Sequence, residues 1–220
     1  GRIVFVGAGT SGRLGIVESA EMPPTFGTSP ALVQGIIAGG KNAIIRAKEG
    51  SEDNYEEGAR SITRLDPTKK DVVVGVSASG MTPFVRGALT CARGAGARII
   101  FVTCDPRSEL QSFVDLTIAP AVGPEVIAGS TRLKAGSATK AVLNAITTAA
   151  MVRQGKAYEN LMVDLKQTSK KLEDRARRIV AAAARVSAAR AGALLASAGN
   201  VKTAILMGRL GVDATEAGRR

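Results

Sequence analysis

The stretch RIVFVGAGTSGR, from Arg2 to Arg13, decides the fold, because a β-branched, strand-like run leads directly into a glycine-rich loop. The loop matches G-x-G-x-x-G from Gly7 to Gly12, a pattern that lets the backbone approach an anion at the start of a helix. A dinucleotide site also needs an acidic residue at the end of the second strand. That strand ends in IAGGK, from Ile37 to Lys41, so the sequence does not favour NAD.

Further β-branched runs follow the first one, and helical patterns separate most of them. Most of the runs are apolar without alternation, as strands buried on both faces must be. We therefore predict an α/β fold, a doubly wound five-stranded parallel sheet of flavodoxin-like order 2-1-3-4-5. The predicted strands are Arg2 to Val6, Leu32 to Ala38, Asp71 to Ser77, Arg98 to Thr103 and Asp115 to Ala119. The predicted helices are Leu14 to Ala20, Asp53 to Leu65, Pro83 to Ala95, about Arg107 to Phe113, and about Thr131 to Gln154.

The composition changes towards the end of the chain. Of the 220 residues, 45% are hydrophobic, which is enough for a buried core. Beyond Gly155, Ala, Lys and Arg dominate, so we predict an α/β domain over residues 1–166 and a small all-helical subdomain over residues 167–220. Most of the net charge of +11 lies in that helical part, as a solvated helix face. Aromatic residues make up 3% and do not interleave with the charges, so we expect no nucleic-acid partner.

Several classes of protein are excluded by residues that the sequence lacks. There is no histidine, which rules out a Ser-His-Asp triad and a His-based metal site. Cys91 and Cys104 cannot form a disulfide framework. No apolar run approaches the roughly 18 residues of a membrane span, so we expect a cytoplasmic protein without a membrane partner. The sequence opens without Met, and we expect the natural chain to extend upstream.

A second hydroxyl-rich loop, SASGMTP from Ser77 to Pro83, follows the third strand. In the order 2-1-3-4-5 the first and third strands flank the switch point, where open α/β sheets bind ligands. One such loop is usually just a helix cap, but two on these strands favour a small phosphorylated ligand. The candidate binding residues in the two loops are Gly9, Thr10, Ser11, Ser77, Ser79, Gly80 and Thr82.

Longer strings narrow the interpretation to a family. They are VGAGTSGRLG (6–15), SAEMPPTFG (19–27), KEGSED (48–53), VGPEVIAGSTRLKAG (122–136) and NLMVDL (160–165). Together they resemble the N-acetylmuramic acid 6-phosphate etherases, which contain a SIS (sugar isomerase) domain, here residues 1–166. The resemblance implies a homodimeric lyase without metal, nucleotide or other cofactor. Such a lyase cleaves the D-lactyl ether of this sugar phosphate to N-acetylglucosamine 6-phosphate and D-lactate.

The resemblance also implies the acid/base pair, because Glu21 in SAEMPP and Glu52 in GSED match the family's two glutamates. Glu21 is expected to close a helix, at the negative end of its dipole, which favours a protonated acid. Glu52 is expected to precede a capping box from Asp53 to Glu56, at a positive end that favours a carboxylate base. Without the resemblance, Glu21 is most simply a surface residue, and Glu52 is a charge in the first turn of a helix.

Other positions of the family strings are open to two interpretations. Lys134 and Arg132 could stabilise the enolate or the phosphate, or begin a solvated helix, and we include Lys134 among the candidate binding residues. Met81 replaces an expected arginine, and TCDPR (103–107) replaces the usual SCNPG. Two alternatives to the lyase remain: a non-catalytic SIS protein that binds a sugar phosphate and regulates a partner protein, and a phosphosugar isomerase.

Overall fold

A five-stranded parallel sheet in the order β2-β1-β3-β4-β5 organises the first part of the chain, which confirms the predicted fold class. The computed structural model describes residues 1–167 and 169–219. Each strand lies within two residues of its predicted position, since short apolar runs between glycine and polar residues mark strands clearly. The strands are β1 (Ile3–Gly7), β2 (Val33–Ile37), β3 (Val72–Val76), β4 (Arg98–Val102) and β5 (Leu116–Ile118).

Helices connect these strands, and two of them differ from the prediction. The first helix runs from Gly9 to Phe26 and includes Pro23 and Pro24, so it does not end before the prolines. The pattern at residues 107–113 forms only a 3₁₀ turn, Glu109–Ser112. Another 3₁₀ turn, Ser51–Asp53, precedes the third helix. The helices of this part are α1 (Gly9–Phe26), α2 (Asn42–Ile45), α3 (Tyr55–Thr63), α4 (Pro83–Gly94) and α5 (Lys134–Arg153).

The core of this part lies between the sheet and its helices. Phe5 and Phe101 from the strands and Phe84 and Leu89 from α4 are almost fully buried. Helices α3 and α4 approach each other through Gly58: a Cβ there would lie 2.0 Å from the carbonyl oxygen of Phe84. Only glycine permits this contact, which brings the first turn of α4 directly against α3.

The chain divides into two compact units. The first, the sheet unit, comprises residues 1–21 and 29–147, and the second, the helical unit, comprises residues 22–28 and the described residues from Thr148 onward. The helical unit contains α6 (Lys170–Ala184), α7 (Ala188–Ala198), α8 (Val201–Leu210), α9 (Ala214–Arg219) and a hairpin of β6 (Ala157–Tyr158) and β7 (Leu161–Met162). These helices confirm the predicted helical C-terminal part, while a domain boundary at residues 166 and 167 stays a prediction.

Small and aliphatic side chains pack the helical unit. Its centre includes Ala176, Val180, Ala191 and Ala204, which are all fully buried. Near the hairpin, the Asp164 carboxylate accepts hydrogen bonds from Lys156 (3.0 Å) and Lys202 (2.8 Å). Burial raises the pKa of Asp164, but the two ammonium groups outweigh it and leave the pKa below its ordinary value.

No individual helix in the described ranges has the length and apolar character needed to cross a membrane. Helices α6 and α7 meet those limits only as a pair, with a bend of 107° between them.

Candidate functional site

A cleft of about 270 Å³ opens at the carboxyl ends of β1 and β3. These strands are neighbours, with Gly7 paired to Val76, so the two loops that follow them meet at the switch point of the sheet. The structure brings six predicted binding residues together there: Gly9, Thr10, Ser11, Ser77, Ser79 and Thr82. The cleft is also lined by Ala8, Glu52, Asp53, Val76, Ala78, Met81, Thr131, Gly136 and Thr139.

The first loop turns sharply from β1 into α1. Gly9 has φ of 51°, in the left-handed region that favours glycine. A Cβ on Gly12 would lie 2.7 Å from the carbonyl oxygen of Gly7, so this turn needs glycine at both places. The result is a helix start whose backbone can come close to an anion.

The second loop places two hydroxyl groups beside the start of α4. The hydroxyl oxygens of Ser77 and Thr82 lie 2.7 Å apart and share a hydrogen bond. Thr82 precedes Pro83 at the first position of α4, but its side chain accepts no bond from the described first-turn amides. Gly80 does not line the cleft; its carbonyl oxygen accepts a bond from the Ser108 hydroxyl (2.7 Å). This helix start therefore retains donors for a ligand.

The start of α5 forms a third wall, which the sequence analysis missed. Thr131, Gly136 and Thr139 line the cleft there, within the etherase-like string or just after it. A Cβ on Gly136 would lie 3.6 Å from the methyl group of Thr10, so this glycine brings α5 close to the first loop. The hydroxyl residues and the glycine in that part of the sequence could have predicted this wall.

Glu125 occupies the amino end of α5. Its carboxylate accepts hydrogen bonds from the backbone amides of Ala135 and Lys134, both at 2.9 Å. The Ala135 amide is the main cause of a pKa of Glu125 below the ordinary value, and the Lys134 amide adds to it. The side chain of Lys134 is exposed and is not among the described residues that line the cleft.

Glu52 lies on the cleft wall, whereas Glu21 does not. Glu52 is exposed, in the turn Ser51–Asp53 before α3. The predicted capping box at Asp53 is wrong: Asn54 is the cap, and its side chain accepts a bond from the Glu57 amide (2.9 Å). Asp53 belongs to the 3₁₀ turn Ser51–Asp53 that follows Gly50, whose φ is 71°. Helix α3 therefore begins later than predicted, at Tyr55.

Glu21 is exposed on α1, twelve residues after Gly9. At about 1.5 Å per residue, it lies about 15 to 18 Å along the helix axis from the cleft residues Ser11 and Gly9. The expectation that Glu21 closes its helix is wrong, because α1 continues to Phe26.

The charges around the cleft are negative. Glu52 and Asp53 line it, and none of its described lining residues is Lys or Arg. Arg13, just beyond the first loop, donates to the carbonyl oxygens of Ala43 (2.7 Å) and Ile44 (2.8 Å). An anion in the cleft would therefore depend on hydroxyl groups and backbone amides rather than on a nearby cation.

Solved structures share this doubly wound α/β fold. A phosphoheptose isomerase from Francisella tularensis matches with a TM-score of 0.51 and 16% identity over 70% of this chain and 77% of that one. A Bacteroides fragilis protein, provisionally assigned as a phosphosugar isomerase involved in capsule formation, matches with a TM-score of 0.52 and 17% identity over 72% and 73% of the two chains. Residues 1–93 match the family model for the glucokinase regulatory protein N-terminal SIS domain.

Closer relatives determine the family within that class. The N-acetylmuramic acid 6-phosphate etherase of Salinibacter ruber is 54% identical over 100% of this chain and 71% of its own length. The enzyme of the same name from Photorhabdus laumondii is 49% identical over 99% of this chain and 72% of its own. The chain belongs to the N-acetylmuramic acid 6-phosphate etherase family, which confirms the resemblance noted in the sequence.

Proposed function

We propose that this chain is a carbon–oxygen lyase that cleaves the D-lactyl ether of N-acetylmuramic acid 6-phosphate. The products are N-acetylglucosamine 6-phosphate and D-lactate. The observation that carries the proposal is the cleft itself, where Glu52 faces two hydroxyl-lined helix starts in a chain of the etherase family.

The phosphate is placed between the two loops that follow β1 and β3. Thr10 and Ser11 supply hydroxyl groups on one side, and Ser79 and Thr82 supply them on the other. The starts of α1 and α4 add backbone amides and the positive ends of two helix dipoles. These groups suit a phosphate in a cleft that has no lining cation among its described residues.

Glu52 is the proposed base. In the open-chain sugar, the C2 proton is acidic because it lies next to an aldehyde, and the ether oxygen on C3 is the leaving group. Glu52 removes the C2 proton, and a second group protonates the departing lactate oxygen. Water then adds to the double bond at C3 by the reverse roles, which gives N-acetylglucosamine 6-phosphate.

Glu21 is the proposed acid, supplied by a second copy of the chain. The distance of about 15 Å or more along α1 exceeds the span of a sugar phosphate from its phosphate to C3, which supports a role for Glu21 in the cleft of another subunit. On the same exposed face of α1 lie Val17 (45% exposed) and Ala20, one turn or less from Glu21. An apolar edge beside the carboxylate fits contact with another subunit, so the acid role and a homodimer are one proposal.

Two variants separate the chemical steps, with D-lactate release as the common assay. Glu52→Gln should abolish exchange of the C2 proton with solvent deuterium, because an amide cannot accept that proton. Glu21→Gln should block lactate release but can retain C2 exchange, if the intermediate returns its proton faster than it expels an alkoxide. Glu56→Gln, a neighbouring exposed carboxylate, is the control and should behave as the unmodified enzyme. The opposite exchange pattern would reverse the two roles.

Mixing the two inactive variants tests the shared site. Subunit exchange should produce mixed dimers with one intact site each, and recover about one quarter of the original activity at equal amounts. No recovery, in dimers shown to exchange, would contradict the supply of Glu21 by a partner subunit.

The regulatory alternative has its own outcome. A protein that binds N-acetylmuramic acid 6-phosphate, shows no C2 exchange and releases no D-lactate would be a sugar-phosphate-binding regulator, not a lyase.

We place the reaction in the cytoplasm, whose reducing conditions suit the two free cysteines, Cys91 and Cys104. The expectations of no cofactor, no nucleic-acid partner and no membrane partner stay predictions.

A further inference from the structure

A second and larger cavity, of about 710 Å³, opens beside the cleft. Met81 and Thr82 line both spaces, so the loop after β3 forms the wall between them. The other walls are the first turns of α4, Tyr55, and residues 105–110 after β4. A ligand held at Thr82 can therefore extend from the cleft into this cavity.

Two arginines line the second cavity, in contrast to the cleft. The exposed side chain of Arg86 makes no ion pair with any residue in the ranges 1–167 and 169–219. Arg107 is 90% exposed, and its nearest carboxylate oxygen, on Asp105, lies 3.6 Å away. Such an exposed pair contributes little and can be replaced by a ligand. Two carboxylates, Asp105 and Glu109, also line the cavity, and Glu109 is exposed to solvent.

The substrate in the proposed function carries two anionic groups, a phosphate and a lactyl carboxylate. The hydroxyl groups and helix starts of the cleft suit the phosphate, while Glu52 and Asp53 would repel a carboxylate placed beside them. The adjoining cavity supplies the guanidinium groups of Arg86 and Arg107, which can pair with a carboxylate. A guanidinium group matches the planar carboxylate with two parallel hydrogen bonds.

We propose that Arg86 and Arg107 bind the lactyl carboxylate and so determine specificity for the ether-bearing sugar over its product. This inference rests on the proposed function, because it assumes the phosphate in the cleft. The two arginines bind an unreacting part of the substrate, so they orient the ether bond and take no part in proton transfer.

A thermodynamic cycle, in which the lactyl carboxylate and the two arginines are changed separately and together, tests the contact between them. The substrate is compared with an analogue in which the lactyl carboxylate is a neutral carboxamide, on the unmodified enzyme and on the Arg86→Gln, Arg107→Gln double variant. Each single change should lower kcat/KM by about 10- to 100-fold, as expected for hydrogen bonds to a charged group. Both changes together should cost little more than one, because they remove the same contact.

The control variant is Arg153→Gln, Arg190→Gln, which removes the same charge from two exposed positions in the helical unit. It should show the carboxylate preference of the unmodified enzyme. Inhibition by N-acetylglucosamine 6-phosphate, which has the phosphate but no lactyl group, should be equal in the double variant and the unmodified enzyme. Additive losses in the cycle, or weaker inhibition by this product, would overturn the assignment.

Measuring the affinity for the two sugar phosphates distinguishes failure of this inference from failure of the proposed function. If the unmodified protein releases no D-lactate, the lyase proposal fails, and calorimetry then compares the two sugar phosphates directly. Tighter binding of the lactyl sugar that is lost in the double variant supports the arginine contact. Equal affinity of the unmodified protein for both sugars overturns it.

Discussion

The helix starts of the helical unit and those of the cleft use their polar groups differently. In the helical unit, Ser187 and Asn200 accept bonds from the amides of Arg190 (3.2 Å) and Thr203 (2.9 Å). At the cleft, Thr82 occupies the equivalent position before α4 but bonds to Ser77. The same residue types therefore stabilise the chain in one region and remain available to a ligand in the other.

This difference explains why a Ser or Thr before a helix is ambiguous in a sequence. A capping hydroxyl lowers the free energy of its own helix, while an uncapped helix start keeps donors whose partner must come from outside the chain. Substitutions at the two kinds of position should therefore separate stability from ligand binding.

The largest effect is expected at the amino end of β3, opposite the cleft, where the Asp71 carboxylate bonds to groups of the chain itself. Asp71 is 3% exposed and accepts bonds from the Arg2 side chain (2.7 Å) and the Thr68 amide (2.8 Å). Asp71→Asn should lower the free energy of unfolding by about 2–3 kcal/mol, somewhat less than for a fully buried pair because Arg2 is partly exposed. Denaturant unfolding measures this, and KM should not change.

Stability should also depend on pH through Asp71. The Arg2 guanidinium is the main cause of a pKa of Asp71 well below its ordinary value, and the amides of Thr68 and Arg2 add to it. A lowered folded-state pKa stabilises the fold above the ordinary pKa, and this contribution is lost as pH falls below about 4. The unmodified protein and Asp71→Asn should therefore converge in stability in acid. A constant difference down to pH 2 would contradict this.

The next effect is expected at the cleft, where substitutions should change KM more than the free energy of unfolding. Ser79→Ala, Thr82→Ala should raise KM by about 10- to 50-fold, because two proposed phosphate contacts are lost. The free energy of unfolding should fall by about 1 kcal/mol, because neither hydroxyl caps a helix but Thr82→Ala removes the partner of the buried Ser77 hydroxyl. Ser61→Ala, Thr90→Ala is the control, because both hydroxyls bond to carbonyl oxygens of their own helices. Unchanged sugar-phosphate binding in the cleft variant would show that the phosphate lies elsewhere.

A smaller effect, on stability alone, is expected in the helical unit. Asn200→Ala removes the cap of α8 and should cost about 1 kcal/mol of unfolding free energy, with kcat and KM unchanged. Asn200→Ser keeps a capping oxygen and should recover most of the loss. A change in KM in either variant would break the separation between the two regions.

The smallest effect is expected at Glu125, which stabilises the start of α5 beside the cleft wall formed by Thr131 and Gly136. Glu125→Gln replaces the charged acceptor of the Ala135 and Lys134 amides, so at neutral pH it should slightly lower stability and raise KM. Because the pKa of Glu125 is lowered mainly by the Ala135 amide, its contribution to stability is present at neutral pH and lost in acid. The difference in unfolding midpoint between variant and unmodified protein should therefore disappear towards pH 3. A difference that grows in acid would exclude this role.

The sequence alone determined the strands, their order and the two loops of the cleft. Runs such as VVVGV (72–76) are apolar on both faces, which suits a central parallel strand and little else. The glycines at 7 and 12 were equally informative, because their close backbone contacts exclude side chains, and Gly9 adopts a positive φ of 51°. The resemblance carried by the family strings predicted Glu52 and Glu21 as a pair, but the strings contain no distances.

The tertiary structure decided what no local pattern contains. Asn54 rather than Asp53 caps α3, and α1 passes through Pro23 and Pro24, because packing can outweigh local signals at helix ends. Segments far apart in the chain supply the cleft wall at Thr131 and the cavity wall at Arg86 and Arg107. Their proximity depends on how the sheet aligns the carboxyl ends of its strands. Local sequence specifies which element forms, whereas long-range packing specifies which side chains share a site.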